Sequence, residues 1–187
     1  RWVLLFPGAE GEMPTFYLCD DFRKDDFSHD YHSRLHFGEG FSLSATQDRF
    51  RFDGTEGDFV LRQMAPPPES TSWSTAPFDN GESDPNSTVL TVSRQARDGR
   101  FCWEFLPLAD GDVEPFSALT RYPGGGHQQS GEAPGRERHL LWAWESSLQA
   151  GGWSLEGRFG VVETEAEFSR CALIKGSLLE SPLRLYV

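Results

Sequence analysis

The chain has 187 residues and a formal net charge of −12 at pH 7, long enough to bury a sizeable core without metal or disulfide staples. Its acidic balance repels a phosphate backbone, so nucleic acid is not an expected partner. No apolar run approaches the length of a membrane span, and the stretch 2–6 is too short for a signal-peptide core.

Trp2-Val3-Leu4-Leu5-Phe6 reads as a buried strand stopped by Pro7-Gly8, and Thr15 to Leu18 as a second short one. From 20 to 36 Asp and His dominate, and neither the strand nor the helix period emerges cleanly. The pattern sharpens at Phe41 to Gln63. Phe41, Leu43 and Ala45, then Phe50 and Phe52, then Phe59 and Leu61 alternate with Ser42, Ser44, Arg49, Arg51 and Arg62, giving each segment one apolar face. Gln47-Asp48, Asp53-Gly54 and Gly57 separate the runs, which predicts a three-stranded antiparallel meander.

Residues 65–87 hold five prolines and many small polar residues, the composition of a long surface loop, with Trp73 and Phe78 pinning it to the body. Strands resume at Thr88 to Ser93 and Arg100 to Phe105, with a hairpin signal at Asp98-Gly99 between them. Phe116 to Arg121 is a weaker strand, followed by a second polar loop at 123–138. In His139 to Glu145, Leu140, Trp142 and Trp144 share a face, and Trp153 to Leu155 with Arg158 to Glu163 form the arms of a hairpin around Glu156-Gly157. Thr164 to Glu167 fits a capping box, with Lys175 in the last turn and Gly176 just past it. Together these predict a helix of about eleven residues, with a strand from Ala166 to Ile174 as its rival. Leu183 to Val187 closes the fold as a last strand.

These elements predict a mainly β chain in a single antiparallel domain over 1–187, with long loops at 65–87 and 123–138. Hairpin connections and even spacing suit an up-and-down β-barrel, or alternatively a two-sheet β-sandwich. Strands followed by one short C-terminal helix and a further strand loosely resemble the lipocalin or calycin arrangement.

The cysteines Cys19, Cys102 and Cys171 are odd in number and far apart, with no C-x-x-C. This predicts neither a disulfide framework nor a zinc knuckle, although one pair could bridge, and favours a reducing compartment or organelle lumen over secretion. Starting on Arg rather than Met suggests a processed protein, an excised domain or the ordered part of something longer.

His29, His32 and His36, with Asp20, Asp21, Asp25, Asp26 and Asp30 nearby, are the best metal candidates. A helix would put the three histidines on one face; a strand would turn His29 away; a solvated loop is the plainer alternative. Asp110, Asp112 and Glu114 imitate the opening of a calcium loop, but Pro115 and Arg121 stand where Gly and Glu are required. No P-loop, G-x-S-x-G or G-x-G-x-x-G occurs, so no enzyme is signalled.

Phe50, Phe52, Phe59, Phe101, Trp103, Trp142 and Trp144 come from separate strands. In a closed barrel they would either line a cavity for one small apolar ligand or fill the lumen as core. The expected function is therefore non-catalytic binding of a hydrophobic or aromatic molecule such as a pigment, lipid or isoprenoid. One alternative is a β-rich accessory subunit of a larger complex, meeting protein partners through 65–87. Another is a barrel enzyme or chromophore lyase using the His29 to His36 region, with Cys19.

Overall fold

The computed structural model describes residues 1–8, 12–38, 41–46, 49–55, 57–77, 88–109, 114–122, 125–131, 136–144, 147–165, 168–180 and 185–186. The chain divides into two compact units, Arg1–Asp112 and Val113–Val187.

The first unit contains β1 (Trp2–Phe6), β2 (Thr15–Arg23), β3 (His29–Phe37), β4 (Phe41–Ala45), β5 (Arg49–Gly54), β6 (Asp58–Ala65), β7 (Ser72–Pro77), β8 (Thr88–Ala96) and β9 (Asp98–Leu108). Six of them form one sheet in the order β1-β2-β9-β6-β5-β4, and three form a second in the order β3-β8-β7. Every pairing is antiparallel. The meander at Phe41 to Gln63 is present as β4, β5 and β6, with Leu43 opposite Phe52, Phe52 opposite Phe59 and Phe50 opposite Leu61. Its alternation puts these side chains on one face. There Phe50, Phe52, Leu61, Phe101 and Trp103 meet Leu90 and Val92 of the smaller sheet in one buried cluster. The Trp103 indole N–H donates to Ser33 Oγ at 3.1 Å, satisfying the one polar atom of a fully buried ring.

The chain passes between the two sheets at β2 to β3, β3 to β4, β6 to β7 and β8 to β9. Sequence neighbours therefore do not pair all the way round, and among the described residues no sheet closes on itself; β1 and β4 remain edges. The expected up-and-down barrel is corrected accordingly to open antiparallel sheets. Asp98-Gly99 is not a hairpin turn either, because β8 pairs with β3 and β7 while β9 pairs with β2 and β6. Glycine is needed at 99 for packing: a Cβ there would lie 2.4 Å from the Tyr31 ring and 2.5 Å from Phe22.

The opposite face of the larger sheet is buried as well. Tyr17 donates its hydroxyl to Glu104 Oε1 at 3.2 Å, and Arg62 Nη1 donates to Glu104 Oε2 at 3.0 Å. Beside them Cys19 and Cys102 stand directly opposite in the β2–β9 register, with Cα atoms 4.1 Å apart, and form a disulfide. This is the single bridging pair that the cysteine count left open. The two residues are 83 positions apart, and only the strand register brings them together. Cys171 is free and exposed. A thiol-specific maleimide should label one cysteine per folded chain without reductant, and three after reduction and unfolding; mass spectrometry reads the increments.

The second unit contains β10 (Phe116–Tyr122), β11 (Gly126–Gly131), β12 (Glu137–Trp142), β13 (Ser147–Ala150), β14 (Trp153–Glu156), β15 (Phe159–Glu165), β16 (Phe168–Ile174), β17 (Leu178–Glu180) and β18 (Leu185–Tyr186). One sheet runs β10-β11-β12-β15-β16 and the other β13-β14-β17-β18. Leu141 and Val162 from the first meet Ala150, Trp153 and Leu155 from the second. The expected C-terminal helix is a strand instead. β16 lies against β15, with Val162 opposite Cys171 and Glu163 opposite Arg170, while 166–167 lie outside the described residues. Capping signals are worth little beside a full ladder of cross-strand hydrogen bonds and a buried partner strand. Among the described residues the one helical turn is a 3-10 turn at Pro68–Ser70, and no helix is long and apolar enough to cross a membrane.

Both stretches expected as loops contain strands. β7 pairs Trp73 with Val92, and 78–87 lie outside the described residues. β11 occupies Gly126–Gly131 within 123–138, where His127 and Gln129 are buried polar side chains. Strands built from Gly, His, Gln and Ser give no hydrophobic period to read.

Candidate functional site: an open apolar cavity

On the face that carries the buried cluster, the smaller sheet covers only part of the larger one. β2 contributes Phe16 and Leu18, β9 Phe105 and Pro107, β6 Phe59, β4 Phe41 and β1 Val3. Strand register places them together: Leu18 is opposite Val3 and Trp103, Phe16 is opposite Phe105, and Phe59 is opposite both Phe52 and Pro107. Phe37 of β3 reaches in from the smaller sheet. The result is a cavity of about 580 Å³. Its lining continues to solvent, with Val3 59% and Phe16 39% exposed.

The aromatic floor is a stack. Phe52 and Phe59 lie nearly parallel with centroids 4.4 Å apart, and Phe37 packs over both at 4.0 and 5.5 Å. Phe41 meets Phe59 edge-on at 5.4 Å. It lies across Gly54, where a Cβ would come within 2.5 Å of its ring, so glycine at that turn seats the phenyl at the mouth. Such offset and edge contacts fix ring positions and leave an apolar, polarisable wall.

Among the described residues that border the cavity Asp58 is the one of ionisable type; it stands opposite Leu108 in the β6–β9 register, and alternation turns its side chain to the sheet face away from Phe59. Its Oδ2 accepts from Arg51 Nη2 at 2.5 Å and its Oδ1 from the Gly54 N–H at 3.2 Å. Arg51 also donates to Asp53 Oδ1 at 2.6 Å. Asp53 raises the affinity of the Arg51 guanidinium for its proton, partial burial opposes this, and Asp58 adds to the gain. The guanidinium is thus committed to two carboxylates.

The residues expected to bind ligand separate into three groups. Phe59 lines the cavity and Phe52 supports it from behind. Phe50, Phe101 and Trp103 are sealed in the core between the sheets. Trp142 and Trp144 belong to the second unit, where Trp142 packs edge-on to His127 at 4.9 Å and the Trp144 carbonyl accepts from Arg158. Sequence reasoning missed Phe16, Leu18, Phe37, Phe105 and Val3 as lining residues. A signal existed for Phe37, since Tyr31, Leu35 and Phe37 keep a period of two that Ser33 interrupts with a hydroxyl.

The histidines do not converge. As consecutive positions of β3 alternate, His32 and His36 share one face and His29 takes the other. His29 Nε2 pairs with Asp25 Oδ1 at 2.7 Å, lowering that carboxyl's pKa, while His32 Nδ1 bonds Ser93 Oγ at 2.7 Å. Among the described residues no three His, Cys, Asp or Glu side chains are grouped to hold a metal ion. Cys19, named with this region in the enzyme alternative, is held in the disulfide. Of the calcium-like segment, 110–113 lie outside the described residues.

The second unit has a charged core on its larger sheet. Buried Glu163 accepts from Arg136 Nη2 at 2.9 Å, Arg138 Nη2 at 2.8 Å and Arg170 Nη2 at 2.6 Å. Burial pushes its carboxyl up, but Arg138 above all, with Arg136 and Arg170, outweighs that and holds it below the ordinary value. Arg138 and Arg136 also lie over the Phe116 ring, at 4.2 and 4.8 Å. On the sheet face that carries Leu141 and Val162, Tyr122 is pushed up to about 12, by burial and then by Glu137. Burial lowers the His139 pKa against the opposing pull of Glu137, whose carboxylate lies 3.3 Å from Nε2, and the ring Nδ1 is hydrogen-bonded with the Tyr122 hydroxyl at 2.8 Å. These are interlocked structural pairs rather than a reactive constellation.

Compared with known proteins, the chain matches no protein-family model and no curated sequence.

Proposed function

We propose that Arg1–Asp112 is a non-catalytic binding unit that holds one small hydrophobic molecule, such as a pigment, lipid or isoprenoid, in a calyx-like cleft between its sheets. The cavity carries this reading: about 580 Å³, walled by phenyl rings and aliphatic side chains, with Asp58 the one residue of ionisable type among the described lining residues. Sites for drug-sized ligands fall in the same size range, and a lining so poor in donors and acceptors rewards an apolar body over a polar metabolite. The exposed lining supports entry from solvent. Large exposed apolar surface costs stability and is retained where it serves binding.

The test uses the neutral fluorophore Nile red. Its emission should rise and shift to the blue on addition of the chain. Phe16→Asp should weaken that binding about tenfold by placing an ionised carboxylate in the apolar wall. Phe22→Asp is the control, because Phe22 is on the same strand and 41% exposed but outside the lining. Equal losses in the two variants, or no emission shift with the native chain, would refute the reading.

A second reading, an accessory subunit that meets a protein partner, draws support from β7. All six of its residues are exposed, Trp73 included, and it forms an edge of the smaller sheet, the kind of strand to which another chain can add. A chain that leaves Nile red unshifted favours this alternative.

A further inference from the structure

Resting on the apolar-ligand reading of this cavity, we propose that it selects a flat, conjugated ligand, such as a polyene or a fused aromatic ring system, over a saturated lipid of similar size. The wall carries the inference. Phe16, Phe37, Phe41, Phe59 and Phe105 border the cavity, each from a different strand. Register turns all of them to the same side. Phe16 is opposite Phe105, and Phe105 shares its face with Pro107, the partner of Phe59. Phe41 shares its face with Leu43, the partner of Phe52, and Phe52 is opposite Phe59. Phe37 meets Phe52 and Phe59 from the smaller sheet, with centroids at 4.0 and 5.5 Å. Asp58, the one polar side chain among the described lining residues, is turned to the other face beside Leu108. Ring chemistry is therefore what this wall has to select with.

A phenyl ring presents a negative face and a positive edge, and a conjugated ligand answers with a face and an edge of its own. Such contacts add to plain area burial, and two of them change affinity about tenfold. A saturated ligand gains the area alone. The ring planes are also set before a ligand arrives. Phe52 and Phe59 lie 7° from parallel, and Phe41 stands across them at 87° and 81°. Gly54 leaves room for that pose, since a Cβ there would come within 2.5 Å of the Phe41 ring. A rigid flat molecule has few rotamers to lose on entering such a site, whereas a flexible acyl chain gives up many. Both effects favour the conjugated ligand.

The experiment displaces Nile red from the native chain with naphthylmethanol, decahydronaphthylmethanol and undecanol. These share one carbon count and a single hydroxyl, and are respectively flat and conjugated, saturated and cyclic, and saturated and flexible. The readout is the ratio of half-displacing concentrations, saturated to aromatic, compared between the native chain and the double variant Phe16→Leu with Phe105→Leu, so that different affinities for water cancel. Those two phenyls lie outside the stack of Phe37, Phe52 and Phe59, and leucine keeps the wall apolar. The ratio should fall about tenfold in the variant for each saturated competitor. A merely structural effect would weaken all three competitors together, and that result, or an unchanged ratio, would overturn selection for conjugation.

Circular dichroism gives a second measurement that needs no variant. Rings of fixed plane hold a flat chromophore in one orientation, so achiral anthracenemethanol should acquire dichroism in its own absorption band, beyond that of the protein, when saturated with the native chain. No dichroism at saturation would show the ligand lying loose against the wall and would overturn the proposal. Nile red that binds with an unchanged ratio leaves the apolar-ligand reading standing without this selectivity. Failure of Nile red to bind the native chain would instead remove that reading itself, and the selectivity with it.

Discussion

Glu163→Gln is expected to destabilise the unit Val113–Val187 by about 3–5 kcal/mol, since removing one partner leaves buried charges uncompensated. Here one fully buried carboxylate answers three guanidinium groups, and Arg138 is 2% exposed. Without it the arginines repel one another, and their N–H groups lose their strongest acceptor. The same carboxylate sets a pH dependence. Its pKa in the fold lies below the ordinary glutamate value of 4.5, so the unfolded chain binds the proton more readily. The contribution is complete above the unfolded value and is lost as pH falls through the folded one. Urea melts from about pH 7 down to about pH 4 should show the native chain beginning to lose this increment below the unfolded value, while Glu163→Gln loses less. Equal melts for the two proteins at the higher pH would show that the arginines find other acceptors.

Trp103→Ala should cost the unit Arg1–Asp112 about 3–5 kcal/mol through the cavity left by a large buried ring. The indole is fully buried among Phe50, Leu61, Leu90 and Val92, and its loss also deprives Ser33 Oγ of a donor. Amide hydrogen exchange over β8 and β9 would report the loss locally, and Trp103→Phe should recover most of it by refilling the space. If instead Trp103→Ala left the fold intact and raised the affinity for Nile red, the space it vacates would be continuous with the ligand cavity. The tryptophan would then act as the floor of that cavity.

How much of this was legible beforehand depended on where each strand buries its side chains. The β4–β6 meander could be read because Phe, Leu and Arg alternate without interruption, and one face of each strand meets a core. β9 could be read too, because Phe101, Trp103 and Phe105 alternate with Arg100, Cys102 and Glu104, but nothing in that alternation shows that Cys102 and Glu104 are also buried, on the other face, with Tyr17 and Cys19. β11 could not be read because its buried positions are His127 and Gln129. The helix expected near Thr164 rested on capping residues, whose contribution of roughly a kilocalorie yields to a paired strand.

The candidate site followed the same logic. Period-two patterning showed which side chains share a face, and Phe59 was correctly set on an inward one. Nothing in a linear pattern distinguishes the covered part of that face, where Phe50, Phe101 and Trp103 are sealed, from the uncovered part lined by Phe16, Phe41 and Phe105. That depends on how far a three-stranded sheet extends over a six-stranded one.

By itself, then, the sequence determined an antiparallel β protein and the face each meander residue occupies, because side-chain alternation is a local property of extended chain. Tertiary structure alone decided that the sheets stay open, that Cys19 meets Cys102, that three arginines share Glu163, and that the aromatics both fill a core and border a cavity. Each of these depends on strand register between distant segments, and register is set by the packing of whole sheets rather than by any neighbouring residue.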